Sequence, residues 1–305
     1  MKIKDIILLI RVDHWFKQIF VLPGVLFATV IEGFQILNFL DLVFGLLSVS
    51  FAASANYIIN EYLDRSFDKY HPLKKDISRI KKNLTIFQVI PIYLSCTILS
   101  LVYPIYNYNK FFIFFLLIFL IAGILYNSQP FRFKDKRYFD TLSEALNNPI
   151  RFLLGFAIFS QNIYAIPISI ILAYFFGGAF LMNSKRLSEY NFLKKKSIIK
   201  KYRKSLASYN QPGDLETLCL AYSALSIFFI TVFIIKHQID FIFFMISLII
   251  LFSYFFKKSL LKNSDVQTLE YLYKDIKLVI LTLITSLLLI LSFIYEIEYL
   301  NFLLY

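Results

Sequence analysis

The sequence predicts an all-α protein that crosses a membrane many times, and three observations lead to that class. Hydrophobic residues make up 58% of the 305 residues and charged residues only 17%, whereas a soluble globular domain carries about 25% charged residues. The apolar residues, which give a mean hydropathy of +0.65, gather into runs of about 20 residues, enough to cross ~30 Å of hydrocarbon as helix. Lysine and arginine, finally, are crowded into alternate connections between those runs.

In chain order, the opening "MKIKDIILLIRVDHWFK" joins basic residues to a short apolar stretch. It offers no small-residue cleavage site and charges resume at Arg11 and Asp13, so residues 1–15 read as an amphipathic lead-in helix and not a cleaved signal. Apolar runs between polar breaks then give nine spans, at 16–34, 39–59, 84–105, 111–127, 140–160, 163–183, 215–236, 239–256 and 277–296. The second ends in the small residues of "SFAASANY", which let helices approach closely. The fifth is the least apolar, because "SEALNNPIR" sits inside it. Residues 1–305 read as one integral membrane domain whose polar chemistry lies in two long connections, 60–83 and 184–214. Cys96 and Cys219 fall within apolar runs and fit neither a disulfide framework nor a metal site, so they are packing residues.

The N-terminal lead and the connections on its side of the membrane hold 29 of the 32 Lys and Arg. Cytoplasmic loops collect these residues. The expectation is therefore a cytoplasmic N-terminus in the cell inner (plasma) membrane, with the active site on the cytoplasmic side and the C-terminal "EIEYLNFLLY" opposite. Topology and attraction to anionic lipid headgroups are sufficient cause for the net charge of +12. No nucleic acid partner is called for, and the oligomeric state stays open to a homo-oligomer.

Asn60, Asp64 and Asp68 are spaced i, i+4, i+8. On an α-helix each drifts only about 40° from the last and stands about 6 Å above it. The resulting stripe of one amide and two carboxylates suits Mg²⁺, a hard ion that takes one or two carboxylates and shares substrate phosphates. The spacing equally allows a solvated helix end whose aspartates pair with Arg65 and Lys69.

The segment "NYIINEYLDRSFDKYHP" resembles the N-D-x-x-D-x-x-x-D signature of the UbiA superfamily of intramembrane prenyltransferases, with Glu61 at the second position. Three further stretches resemble its decaprenyl-phosphate phosphoribosyltransferase branch. "RVDHWFKQIFVLPGVLFA" matches R-P-x-Q-W-x-K-N at Arg11, Trp15 and Lys17, with Val12 and Gln18 replacing Pro and Asn. "MNSKRLSEY" matches G-K-R-x-x-E-L at Lys185, Arg186 and Glu189, and "YRKSLASYN" matches R-K-S-L-x-x-Y, which holds Arg203 and Lys204. The resemblance implies nine transmembrane helices and a Mg²⁺-bound diphosphate at Asn60, Asp64 and Asp68. It implies transfer of 5-phosphoribose from phosphoribosyl diphosphate to a polyprenyl phosphate, for cell-envelope sugar synthesis. Asp64, Asp68, Lys185, Arg186 and Glu189 are then the expected catalytic residues.

The second long connection lacks the second Asp-rich motif by which ordinary prenyltransferases of the superfamily share a prenyl diphosphate's metal ions. It offers "KRLSEY" and "KKKSIIKKYRKS", a basic surface suited to phosphate. The alternative activity is prenyl transfer from a prenyl diphosphate to an aromatic or other acceptor. A non-catalytic lipid-binding or transport protein is a third reading. The stretch 126–156 adds Tyr126, Lys134, Asp140 and Arg151 as expected substrate contacts, with Arg11, Lys17, Arg203 and Lys204. Glu144, Asn147, Asn148 and Arg151 fall on one face of a continuous helix. They form either a satisfied network with Glu144 paired to Arg151 or a pocket wall.

Overall fold

The computed structural model describes residues 3–68, 70, 85–107, 109–193, 196–237, 239–262, 264–267, 269–295 and 300. Among these no residue is in a strand. The α-helices in chain order are α1 (Ile3–Ile10), α2 (Leu22–Glu32), α3 (Phe39–Asp68), α4 (Ile86–Tyr106), α5 (Lys110–Asn127), α6 (Phe139–Ala145), α7 (Asn147–Phe159), α8 (Ile168–Leu193), α9 (Lys196–Tyr202), α10 (Lys204–Ala207), α11 (Pro212–His237), α12 (Ile242–Ser259) and α13 (Ile276–Ile294).

Eight helical stretches among the described residues are long and apolar enough to cross a membrane. The expected fifth span is not among them, because it is divided at Leu146 into α6 and α7. Pro149 supplies the cause: it has no N–H for the carbonyl of Ala145, and its ring crowds that carbonyl. The first long stretch runs from Ile6 to Glu32, so it takes in much of the expected lead-in. It is not one α-helix. Arg11 takes a left-handed backbone (φ 55°) and a 3-10 helix follows over Val12–Val21. The connections expected at 60–83 and 184–214 begin as helix, since α3 continues to Asp68 and α8 to Leu193. Residues 69, 71–84, 194 and 195 of those connections lie outside the described residues.

The chain forms two compact units, one of residues 1–165 and 195–208, the other of 166–194 and 209–305. In the first unit, α2 meets α7 at two glycines. A Cβ on Gly24 would stand 1.9 Å from the carbonyl oxygen of Phe152, and one on Gly155 would stand 2.0 Å from that of Val21. The small-residue stretch of α3 does what its composition suggests: Ala52, Ala53, Ser54 and Ala55 are all buried. Beyond it, Asn56 donates to the carbonyl of Phe119 on α5 at 2.9 Å. A core of Val49, Ile58, Phe112, Leu116, Phe119 and Leu154 fills the space among α3, α5 and α7.

In the second unit α8 packs along α11, with Ser226 donating to the carbonyl of Ala173 at 2.9 Å and Asn183 to that of Leu215 at 2.7 Å. Asp275 caps α13 by accepting from the backbone N–H groups of Lys277 and Leu278. Apolar stripes stay uncovered. Phe87, Ile90, Leu94 and Ile98 follow one face of α4, and Leu283, Leu287, Ile290 and Ile294 one face of α13, all exposed. Side chains of this kind on long apolar helices are the surface that lipid covers, and the chain is a multi-pass membrane protein.

Candidate active site

The polar end of α3 is held by a short connection from α5. After Asn127, the last residue of α5, the backbone turns left-handed at Arg132 (φ 32°) and makes a 3-10 turn over Phe133–Asp135. That conformation costs a non-glycine residue roughly 1–2 kcal/mol, and the Arg132 guanidinium anchors it with three contacts. Nε donates to Asp135 at 3.0 Å, Nη1 to the carbonyl of Asn127 at 2.8 Å, and Nη2 to Oδ1 of Asp64 at 3.1 Å. Lys134 donates to the same Oδ1 and, at 3.0 Å, to Oδ1 of Asn127. Lys134 is buried. Burial pushes its ammonium below the usual lysine range, and the Asp64 carboxylate pulls the other way.

Asp64 thus pairs across to Arg132 and Lys134 and not along its own helix to Arg65, whose guanidinium lies over the Tyr62 ring at 4.3 Å. Lys69 lies outside the described residues. Both cations converge on Oδ1 of Asp64, and among the described residues neither its Oδ2 nor the side chain of Asn60 takes a hydrogen bond. That carboxylate oxygen and that amide, with Asp68 a turn further on, are hard oxygen donors of the kind a divalent cation takes. Beside Leu63 and Phe67 of α3 a cavity of about 300 Å³ opens, lined also by Arg132 and Lys204.

A second network adjoins Lys134, whose Nζ lies 5.8 Å from the centre of the Tyr126 ring. Arg203 grips Asp140 through Nε to Oδ2 at 3.0 Å and Nη2 to Oδ1 at 2.8 Å, and Ser205 donates to Oδ2 at 2.8 Å. The Tyr126 hydroxyl accepts from Arg203 at 2.6 Å and lies 3.0 Å from Asp140 and 3.1 Å from Glu144. Its single hydrogen serves one carboxylate at a time. Tyr126, Asp140 and Arg203, expected separately as substrate contacts, are therefore one part-buried cluster beside Lys134.

The N-terminal 3-10 helix flanks α3 on another side. Arg11 is ion-paired to Glu61 at 3.0 Å. Trp15 donates to Ser54 at 3.0 Å. Lys17 lies 2.8 Å from Nδ1 of His14. Gln18 accepts from Nε of Arg151 at 3.2 Å, and the Arg151 guanidinium lies 5.1 Å from the centre of the Phe119 ring. Arg151 on α7 is thereby tied to the N-terminal segment, while Glu144 on α6 meets Tyr126, so the break at Leu146 gives the two halves of the expected polar stripe different partners.

In the second unit, Arg186 and Glu189 form an i, i+3 pair at 3.2 Å with side chains 2% and 0% exposed. Lys185 is half-buried. Sequence reasoning passed over Asn127, Arg132, His14 and Ser205. Arg132 stands in "FRFKDKR" (residues 131–137), where a basic residue two positions before Lys134 was the available signal.

A model of the UbiA prenyltransferase family matches residues 20–281. The chain belongs to that family. Among solved structures, a UbiA homologue from Archaeoglobus fulgidus bound to GPP and Mg²⁺ superposes with a TM-score of 0.71 at 23% identity, over 95% of this chain and 98% of that one. The same homologue bound to DMAPP and Mg²⁺ gives 0.69 at 22% identity, with the same coverage. A structure of digeranylgeranylglyceryl phosphate synthase gives 0.66 at 16% identity, again over 95% and 98% of the two chains. At these identities the likeness is one of fold, and the expected UbiA-like helical architecture is present. No curated protein matches the sequence.

Proposed function

We propose that this UbiA-family transferase moves 5-phosphoribose from phosphoribosyl diphosphate to a polyprenyl phosphate with Mg²⁺ as cofactor. The observation that carries the reading is an imbalance of carboxylates. Among the described residues, the Asn60 side chain and Oδ2 of Asp64 take no hydrogen bond. The tail of α8 has Glu189 as its one carboxylate, spent on Arg186 in a fully buried pair. Asn60 and Asp64 would hold a metal-bound diphosphate, and the sequence offers the basic run "KKKSIIKKYRKS" in place of a second Asp-rich motif, as a second, metal-free phosphate requires.

Asn60, Asp64 and Asp68 would hold Mg²⁺, whose chemistry when bound is Lewis-acid stabilisation of a diphosphate leaving group. Lys134 and Arg132, already facing Asp64, hold phosphate oxygens as negative charge builds on them. The bond from ribose C1 to the diphosphate oxygen breaks with its electron pair leaving on diphosphate. A new bond forms from C1 to an oxygen of the lipid phosphate. That oxygen is already anionic, so no general base is needed. Asp140, Arg203 and Tyr126 act beside Lys134, and Arg11, Lys17, Arg151 and Lys204 are the further substrate contacts; Lys185, Arg186 and Glu189 are carried over as catalytic residues on the motif match. The cytoplasmic N-terminus and the inner membrane rest on the distribution of Lys and Arg.

Prenyl transfer from a prenyl diphosphate is the second reading, favoured by the GPP and DMAPP bound to the A. fulgidus homologue. The two separate in one experiment. Purified protein with Mg²⁺ and polyprenyl phosphate receives phosphoribosyl diphosphate labelled in the ribose, and in parallel labelled prenyl diphosphate with an aromatic acid. Label from the first donor in the lipid extract supports phosphoribosyl transfer. Product from the second alone overturns it, and inertness to both leaves the non-catalytic reading.

A further inference from the structure

We infer that the cavity beside Leu63 and Phe67 is a binding site for a phosphate monoester, held by Lys204, Arg132, Ser128 and Gln129. The inference rests on the reading above and deepens it. It gives the second, metal-free phosphate a place, and it names Ser128 and Gln129, which neither the motif match nor the α3 stripe includes.

The lining is amphiphilic. Leu63 and Phe67 make an apolar wall on α3, while Ser128, Gln129, Arg132, Asp135 and Lys204 bring polar groups. The volume of about 300 Å³ is at the lower end for small-molecule sites. Asp135 is the one carboxylate among the lining residues, and Nε of Arg132 already bonds it at 3.0 Å.

Donors are in surplus there. Among the described residues the side chains of Lys204, Ser128 and Gln129 make no hydrogen bond or ion pair. Arg132 has five N–H bonds to give and uses three, on Asp135, the carbonyl of Asn127 and Asp64. Lys134 also meets Asp64, so that carboxylate has its counter-charge without Lys204. A phosphate monoester carries close to two negative charges at pH 7 and three strong acceptor oxygens. It is the complement of this set.

Both cations are fixed in place. Lys204 stands between Arg203 and Ser205, which bond Asp140 through three contacts. Arg132 holds a left-handed backbone (φ 32°), a costly conformation of the kind that gathers at ligand sites. Its guanidinium lies 5.0 Å from the centre of the Phe67 ring and donates to Asp64 at 3.1 Å. Arg132 therefore touches both the cavity wall and the stripe proposed for the metal, so a phosphate held here is one side chain away from a diphosphate held there. Two sources offer that phosphate: the lipid acceptor, whose chain the apolar wall would meet, and the 5-phosphate of the donor.

The test uses the full chain in detergent, by calorimetry in EDTA so that no metal contributes. Farnesyl phosphate is the probe in one arm and ribose 5-phosphate in the other. Lys204→Gln should raise the half-saturating concentration about tenfold or more, the effect of losing a charge-assisted contact. Ser128→Ala should raise it about threefold, the effect of one neutral hydrogen bond. Lys200→Gln removes the same charge from the same basic run but from a residue that does not line the cavity, and should stay within about twofold of the parent. Unfolding temperatures measured alongside identify any variant that fails to fold, and the remaining one then carries the test. Weakening confined to farnesyl phosphate assigns the cavity to the lipid acceptor, and weakening confined to ribose 5-phosphate to the donor; either supports the site. Binding of neither probe, unchanged binding in Lys204→Gln in both arms, or equal weakening in Lys200→Gln overturns it. Lys204-dependent binding in a protein inert to both labelled donors would sustain the site while sinking the proposed reaction. Phosphoribosyl transfer at the parent kcat and KM in Lys204→Gln would sink the site and leave the reaction standing.

Discussion

Arg203 closes on Asp140 with two parallel hydrogen bonds, Nε to Oδ2 at 3.0 Å and Nη2 to Oδ1 at 2.8 Å. The residues are 63 positions apart, and the pair ties the segment 196–207 to the start of α6. Each hydrogen bond to a charged group contributes about 1.5–3 kcal/mol, and Asp140 accepts three, from Arg203 and Ser205. Asp140→Ala should therefore release α9 and α10 before anything else. Hydrogen–deuterium exchange would show faster uptake over 196–207 with little change in α11. Equal protection in parent and variant would mean that the pair does not hold the segment.

Lys134 predicts a pH dependence with opposite signs for activity and stability. Burial lowers its ammonium from the ordinary lysine value of about 10.4. As pH rises, the folded protein loses this charge before the unfolded chain does. If the charge holds phosphate, transfer falls across that window. Stability rises there, because the unfolded state binds more protons. Lys134→Arg keeps its charge throughout and should abolish the alkaline fall in a rate profile. An unchanged fall would assign it to another group.

Asp64→Asn tests the other side of the same contact. The amide still accepts from Lys134 and Arg132, so the fold is preserved, but the carboxylate charge proposed for the metal is lost. Transfer should drop by about 10²-fold or more, the scale of removing a group that stabilises developing charge. The unfolding temperature would fall as well, because Arg132 and Lys134 lose their counter-charge. Transfer at the parent rate would exclude Asp64 as a ligand.

Gly155 predicts a fold effect with no chemistry in it. An added Cβ would lie 2.0 Å from the Val21 carbonyl oxygen, a backbone atom that moves only if α2 and the 3-10 helix move. Overpacking of this kind costs about 1–3 kcal/mol, and Gly155→Ala should lower the unfolding temperature accordingly. Gly213→Ala is the control, since the nearest side-chain atom to its Cβ would be at 3.8 Å.

The helical class was legible because apolar runs of membrane length are a one-dimensional signal, and so was the stripe at 60, 64 and 68, which depends only on helical periodicity. What escaped depended on departures from that periodicity or on distance along the chain. Pro149 was visible within "NNPIR", yet apolar content on both sides suggested one span. Reading the N-terminal segment as α-helix hid the contacts of His14 with Arg11 and Lys17, because residues three apart eclipse one another in a 3-10 helix. Tyr126, Asp140 and Arg203 were each singled out, but no local pattern says that three polar residues so far apart satisfy one another.

Arg186 and Glu189 separate scaffold from chemistry most sharply. Their side chains are 2% and 0% exposed and pair at 3.2 Å within α8. Glu189→Ala should cost about 3–5 kcal/mol as the loss of one partner of a buried ion pair, whereas replacing both partners by apolar residues of similar volume is often neutral or stabilising. Arg186→Met combined with Glu189→Leu should therefore restore the unfolding temperature that the single change lowers. If Arg186 contacts phosphate during transfer, the restored protein stays inactive, with the rate down by about 10²-fold or more. A double variant that is stable and transfers at the parent rate would make the pair a structural tie of α8 and remove both residues from the reaction.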